Sequence, residues 1–285
     1  MDEREGNPTV AIELSAGEDR VVVDETSGGR LASLVAGGQE RLIAADDDPF
    51  SWGVYPMVPW AGRVAGARIA DPDVQLQANH GPHAIHGVTY DLAWEVDHRA
   101  GNAVELLCPL PARRWPLGGI AAQRITLSQG RLELEIQVQA ADRPMPVAVG
   151  WHPWFQRPAR GDMSVFVDSA SVLELDKDLI PTGAVKRAGR KLDLRGAPKL
   201  GRRRLDDVYV DVSEPAVVCW PDLELTIELP HKASTVVVHT PPRGVCVEPQ
   251  TAWPDPFARP DRSGVAQLEP GEIFNAITRW TWRRI

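Results

Sequence analysis

Four short stretches of this chain combine reactive side chains with Gly, Pro and Trp in patterns that packing alone does not require. They are Tyr55-Pro56-Met57-Val58-Pro59-Trp60-Ala61-Gly62-Arg63, His80-Gly81-Pro82-His83-Ala84-Ile85-His86-Gly87, Gly150-Trp151-His152-Pro153-Trp154-Phe155 and Val245-Cys246-Val247-Glu248-Pro249-Gln250. A fifth, Leu205-Asp206-Asp207-Val208-Tyr209, adds two adjacent carboxylates. His152 closes an apolar run and precedes a proline, which keeps the residue before it extended. An imidazole fixed there is either a packing group or a proton donor with a pKa near working pH. Glu248 has the same setting, and because burying an ion is costly, its carboxylate is either paired, with Arg63 or Arg243, or held as a general base.

Other chemistries lack their signatures. The histidines of His80-Gly81-Pro82-His83-Ala84-Ile85-His86 invite a zinc reading, but Gly81-Pro82 breaks any helix that would align them, and the spacing matches no common metal motif. We therefore expect no metal. There is no Gly-x-Ser-x-Gly for acyl transfer and no Gly-rich loop opening a helix for nucleotides. With 31 Lys plus Arg against 39 Asp plus Glu, the net charge of −8 disfavours a nucleic-acid or membrane-surface partner. Cys108, Cys219 and Cys246 cannot all pair within one chain and sit in apolar runs, as expected of buried reduced thiols. The acidic start Met1-Asp2-Glu3-Arg4-Glu5 leads into no signal-like apolar stretch, and no run long enough to cross a membrane follows. The expected location is the cytoplasm.

The elements that must position these groups are strands. Arg131 to Ala140 alternates Leu132, Leu134, Ile136 and Val138 with Glu133, Glu135, Gln137 and Gln139, the period of a half-buried antiparallel strand. Ser128-Gln129-Gly130 joins it to Gln123–Leu127 as a hairpin, and Pro221-Asp222 joins Ala216–Trp220 to Leu223–Leu229 in the same way. Further strands are expected at Thr9–Leu14, Arg20–Asp24, Leu31–Val35, Arg41–Ala44, Leu92–His98, Val104–Leu107, Pro146–Trp151, Ser164–Val167, Val172–Leu175, Val208–Val212, Thr235–His239, Val245–Val247 and Ile273–Trp282. No segment shows a sustained helical stripe, and no linker divides the chain. The expectation is one all-β domain over residues 1–285, with its core at about 10–282. From Lys186 to Arg204 nine basic residues meet a single acid, Asp193, reading as a long exposed connection or as a basic rim for an anionic substrate.

Taken in order, Pro56-to-Arg63, Ile85-His86-Gly87, His152-Pro153-Trp154-Phe155, Leu205-Asp206-Asp207, Glu248-Pro249-Gln250 and Leu268-Glu269-Pro270-Gly271-Glu272 resemble the aldose 1-epimerase (galactose mutarotase) family. The resemblance implies a large antiparallel β-supersandwich with a sugar in an open cleft on one sheet. It also implies a cofactor-independent isomerase that interconverts the α and β anomers of an aldose. On these positions Glu248 would be the base at the C1 hydroxyl and protonated His152 the acid at the ring oxygen. His86 would be a second active-site histidine. Arg63 and Asp206 would hold sugar hydroxyls, with Asp207 the neighbour should the register slip by one. An ionised Glu248 and a charged His152 would then reinforce each other and give a bell-shaped rate profile near neutrality. Gly62 stands where galactose mutarotases usually have Asn, Val88 where a second glycine is common, and Gln156-Arg157 where Asn-Leu often follows, which places the chain among compact, divergent members. The alternatives are a hexose-6-phosphate 1-epimerase anchored by the Lys186–Arg204 stretch, or a sugar-binding protein without the rate.

Trp supplies 10 of the 18 aromatic residues. Indole suits a carbohydrate cleft, since its face takes C–H surfaces and its N–H can meet a hydroxyl. By proximity to the motifs, Trp60, Trp151 and Trp154 are candidates for the cleft, Trp60 and Trp154 as sugar ligands. Trp253 follows Glu248 closely. Trp94, Trp220, Trp280 and Trp282 fall in strands and are assigned to packing.

Overall fold

A computed structural model describes residues 11–285. The acidic N-terminal residues, and the first two residues of the strand expected at Thr9–Leu14, lie outside them. Among the described residues there is no α-helix, only the single 3-10 turn Ala65–Ala67. No helix is long and apolar enough to cross a membrane.

The alternation seen in the sequence becomes two facing sheets. In Arg131–Gln139 the four aliphatic residues are fully buried, while the strand pairs antiparallel with Ile120–Ser128 on one side and Ile273–Arg284 on the other. Each such Leu, Ile or Val contributes roughly 1.5–3 kcal/mol on burial, so the period of two decides which face turns inward. This strand lies in an 8-stranded sheet. A 12-stranded sheet opposes it, running in space through Ile12–Ala16, Asp19–Asp24, Arg30–Ala36, Val54–Met57, Gly150–Pro153, Gly244–Gln250, Thr235–His239, Asp206–Val210, Ser171–Leu175 and Pro181–Arg187. One apolar cluster fills the space between the sheets, with Trp94, Trp115, Trp151, Trp220 and Trp280 in it. This is the expected all-β supersandwich in a single domain. Cys108, Cys219 and Cys246 are all free, and only Cys219 is not fully buried.

Most strand ends shift by a few residues from the sequence reading, and three differences go further. Pro146–Trp151 splits into Met145–Val147, which pairs with Ala266–Leu268 in a small separate sheet, and Gly150–Pro153 in the large one. Arg41–Ala44 is no strand, because the fully buried Arg41 turns to bond Ala36 and Asp222, and Leu42 makes one isolated bridge to Phe155. Lys186 and Arg187 end the strand Pro181–Arg187 at the sheet edge, where exposed charge discourages pairing with another chain. The basic connection therefore starts at residue 188. It is not loose: Leu194 and Leu200 are buried in the inter-sheet core, and the Tyr209 hydroxyl donates to the Leu192 carbonyl at 2.6 Å.

Candidate active site

The strand Gly244–Gln250 shows how the site is made. Val245 and Val247 point into the inter-sheet core, so Cys246, Glu248 and Gln250 must point out of the other face. In the neighbouring strand Val237 lies opposite Glu248 and His239 opposite Cys246, and one strand further Asp206 lies opposite His239. On the other side Gly150 pairs with Gln250, and His152 then lies opposite Tyr55 of Val54–Met57. Gly150 has no room for a side chain, since an added Cβ would sit 2.9 Å from the Pro249 carbonyl. Five adjacent strands thus bring Tyr55, His152, Glu248, His239 and Asp206 onto the outer face of the large sheet. All of these but the buried Tyr55 line an open cleft of about 290 Å³, at the small end of ligand sites.

His86 and Arg63 reach this cleft from a short ribbon in which Arg63 pairs with Ile85. His86 holds a left-handed backbone (φ 58°), a costly conformation for a residue with a Cβ, and its N–H donates to the Gly62 carbonyl at 3.0 Å. Gly87 is obligatory, because a Cβ there would lie 2.0 Å from the Val58 carbonyl oxygen. The two histidines meet edge to face, with ring centres 5.0 Å apart.

His152 Nε2 lies 3.3 Å from Glu248 Oε1, both side chains being almost wholly enclosed. The His152 ring is clamped between Tyr55 (5.0 Å, 20° between planes) and Trp154 (5.6 Å, 10°). Behind Tyr55 sits the fully buried Arg30, 5.0 Å from its ring and 4.1 Å from that of Trp52. The Arg30 guanidinium donates to the carbonyls of Ser27, Pro49, Trp52 and Tyr90, and burial lowers its pKa to about 10.

Electrostatics reverse the expected mutual reinforcement. Burial is the main cause pushing His152 well below the usual histidine range, with His86, His239 and Arg30 adding to it. Burial, then Asp206, pushes Glu248 well above the carboxylate range. Both shifts favour two neutral groups sharing one proton over an ion pair. His86 is pushed down to about 3, chiefly by burial and then by Arg63, so it is neutral at any working pH. The donor atoms of His152, Cys246 and Glu248 lie within 4.8 Å of one another, a set whose types suit zinc. Burial raises the Cys246 thiol, like the Glu248 carboxyl, toward its protonated form.

Of the seven site residues named from sequence, six line the cleft: Arg63, His86, His152, Trp154, Asp206 and Glu248. Trp60 does not. It is 1% exposed in the inter-sheet core against Trp115 and Phe257, whereas the next residue, Ala61, turns to the other side and packs in the cluster of Tyr55 and Trp154. Trp151 goes to the core for the same reason, one residue from His152 on a strand. Asp207 likewise turns away from the cleft, leaving Asp206 as the relevant carboxylate. His80 and His83 stay outside, His83 accepting a bond from Gly66 N–H. No residue of Lys186–Arg204 lines the cleft. Sequence reasoning missed Asp48, Phe50, Tyr55, His239 and Gln250. Gln250 was detectable, lying two residues from Glu248 and so on its face, whereas Asp48 and Phe50 come from a turn that only the folded chain brings near. Phe50 accepts the Trp154 indole N–H at 2.6 Å and packs on Tyr90.

Two facing antiparallel sheets with an open cleft on the outer side of the larger one define the galactose mutarotase-like class of fold. A galactose mutarotase-like protein from Clostridium acetobutylicum superposes with a TM-score of 0.85 at 16% identity, covering 96% of this chain and 95% of that one. A GalM/aldose epimerase homologue from C. elegans gives 0.83 at 17%, covering 97% and 99%. In sequence, the uncharacterized protein YphB of Escherichia coli K12 is 22% identical over 264 residues, 84% of this chain and 85% of its own length. The chain belongs to the aldose 1-epimerase family, whose model matches residues 10–281.

Proposed function

We propose that this protein is a cofactor-independent mutarotase acting on uncharged aldoses, with Glu248 as base and His152 as acid. The observation that carries this is the 3.3 Å contact between the two groups on the cleft floor. The C1 hydroxyl and the ring oxygen of a sugar hemiacetal sit on one carbon, so an acid and a base in contact can serve both at once. Glu248 takes the C1 hydroxyl proton as His152 gives one to the ring oxygen, the C1–O5 bond breaks, and the open aldehyde rotates about C1–C2. Closure on the other face runs both transfers backwards. A bound sugar shifts the pair's proton to His152, because the two hemiacetal oxygens replace lost water around the charges. Neutral His86 steadies the ring oxygen and the His152 edge. Arg63, whose buried Nε has no hydrogen-bond partner among the described residues, and half-exposed Asp206 orient the other hydroxyls, with Trp154 as an apolar wall.

The charge of the cleft favours a neutral ring. Asp48 and Asp206 line it against one arginine, Arg63, and the basic connection packs elsewhere. Saturation-transfer NMR of anomer exchange over a panel of aldoses and their 6-phosphates is the test. Accelerated exchange of at least one neutral aldose is expected; faster, salt-sensitive exchange of a 6-phosphate would replace this reading.

The position of Trp60 gives a second expected result. Trp60→Ala should cost about 3–5 kcal/mol in urea unfolding, the range for a large aromatic removed from a core. The folded variant should keep its KM within twofold; a large rise in KM with unchanged stability would put Trp60 back at the sugar.

A further inference from the structure

The alternation that turns Glu248 into the cleft turns Cys246, two residues earlier, the same way, and His152 of the neighbouring strand comes in beside both. All three residues are buried. One donor atom of each, an imidazole nitrogen, the Cys246 Sγ and a Glu248 carboxylate oxygen, lies within 4.8 Å of the other two. Nitrogen, thiolate sulfur and carboxylate oxygen together are a zinc ligand set, whereas Mg²⁺ or Ca²⁺ would use only the last.

The spacing fits as well. Zinc bonds of about 2.0–2.1 Å to nitrogen and oxygen hold two such ligands about 3.3 Å apart in a tetrahedron. His152 Nε2 stands 3.3 Å from Glu248 Oε1. An edge to sulfur is roughly 3.5 Å, so Sγ, within 4.8 Å of both, completes the set by a small side-chain movement. Gln250 Nε2 donates to Glu248 Oε2 at 3.1 Å, giving the carboxylate the outer partner that a metal-bound carboxylate takes and leaving Oε1 for the ion. His152 and Glu248 both line the cleft, so an ion reaches them from solvent and a water completes its shell.

Binding displaces two protons to the medium, one from the Cys246 thiol and one from the His152 and Glu248 pair. The charges of Zn²⁺, thiolate and carboxylate then sum to zero, which suits an enclosed site. One brace is missing. A ligating histidine ordinarily donates its other N–H to an outer partner, a contact worth about 10-fold to 100-fold in affinity. His152 Nδ1 has no such partner among the described residues, so the site suits an ion that comes and goes rather than a resident one. We propose that His152, Cys246 and Glu248 form a reversible zinc site, and that Zn²⁺ switches the cleft off by occupying the two atoms that move protons. The loop histidines His80 and His83, from whose motif no metal is expected, take no part. The inhibition rests on the mutarotase reading of the cleft; the binding does not.

Calorimetric titration of the full chain with Zn²⁺, absorption spectra with Co²⁺ in its place, and anomer exchange at rising Zn²⁺ test the proposal. One ion should bind per chain with micromolar affinity, Co²⁺ should give a thiolate charge-transfer band, and exchange should fall in competition with sugar. Mg²⁺ and Ca²⁺ should do none of this. Cys246→Ala and Cys246→Ser should each abolish the band and raise the half-inhibiting Zn²⁺ at least tenfold, every chain being read against its own metal-free rate. Cys108→Ala and Cys219→Ala should change neither. If no sugar is turned over, one-to-one binding with a Cys246-dependent band still supports the site, and only the mutarotase reading fails. No band in the wild type, a band that survives both Cys246 variants, or a measurable exchange that Zn²⁺ leaves unchanged or raises overturns the proposal while leaving metal-free turnover to stand.

Discussion

Glu248→Gln is expected to lower kcat for anomer exchange by about 100-fold to 10,000-fold, the usual contribution of a positioned general base. The amide keeps the size of the carboxyl and can still accept the Gln250 side-chain N–H that now reaches Glu248 at 3.1 Å. What it cannot do is take the C1 proton. Because burial penalises the charged form of Glu248, the variant should unfold at the same urea concentration as wild type or a higher one. Loss of rate with stability retained separates a catalytic role from a structural one. Near-wild-type turnover would remove Glu248 from the mechanism.

His152→Asn should cost a similar factor, and its pH profile carries the sharper information. In the wild type the working pair holds one proton. Activity rises with pH as the doubly protonated pair loses its second proton, and falls as the last one leaves, giving a bell whose two limbs belong to the pair. With asparagine in place of the acid, Glu248 alone titrates. A carboxyl raised by burial must still ionise to act as base, so the residual rate should climb through a pKa above the usual carboxylate range and then stay level. The alkaline limb disappears. A variant that keeps that limb would show that some other group, with His86 excluded by its pKa of about 3, supplies the proton.

The 8-stranded sheet was legible because strands such as Arg131–Gln139 announce themselves by a period of two, and the same period would have sorted the tryptophans of the other sheet. Trp154 lies two residues from His152 and shares its face, whereas Trp151 is adjacent and must face the core. Nearness in sequence to a reactive group was the wrong measure for Trp60. The six cleft residues were legible from family-like motifs, each at a strand end or tight turn. Three things were not: the aromatic clamp with Arg30 behind it, the arrival of Asp48 and Phe50, and the sign of the pKa shifts. Each depends on contacts between segments far apart in the chain, and the shifts depend on burial, which a single strand does not reveal. Arg30 stands just before the expected strand Leu31–Val35 with nothing in the sequence to mark it, though it is held by four carbonyls from three separate segments.

The clamp on His152 has a consequence for the economy of the reaction. Its ring is pinned on both faces, its Nδ1 has no hydrogen-bond partner among the described residues, and Nε2 alone faces Glu248. Among the described residues no relay of hydrogen-bonded side chains continues from Nδ1. In the proposed reaction none is wanted: ring opening moves one proton onto the carboxylate and one off the histidine, and closure returns both. The active site ends each turnover in the protonation state in which it began, whichever anomer entered. It is a closed circuit, blind to direction, that neither takes a proton from the medium nor leaves one there.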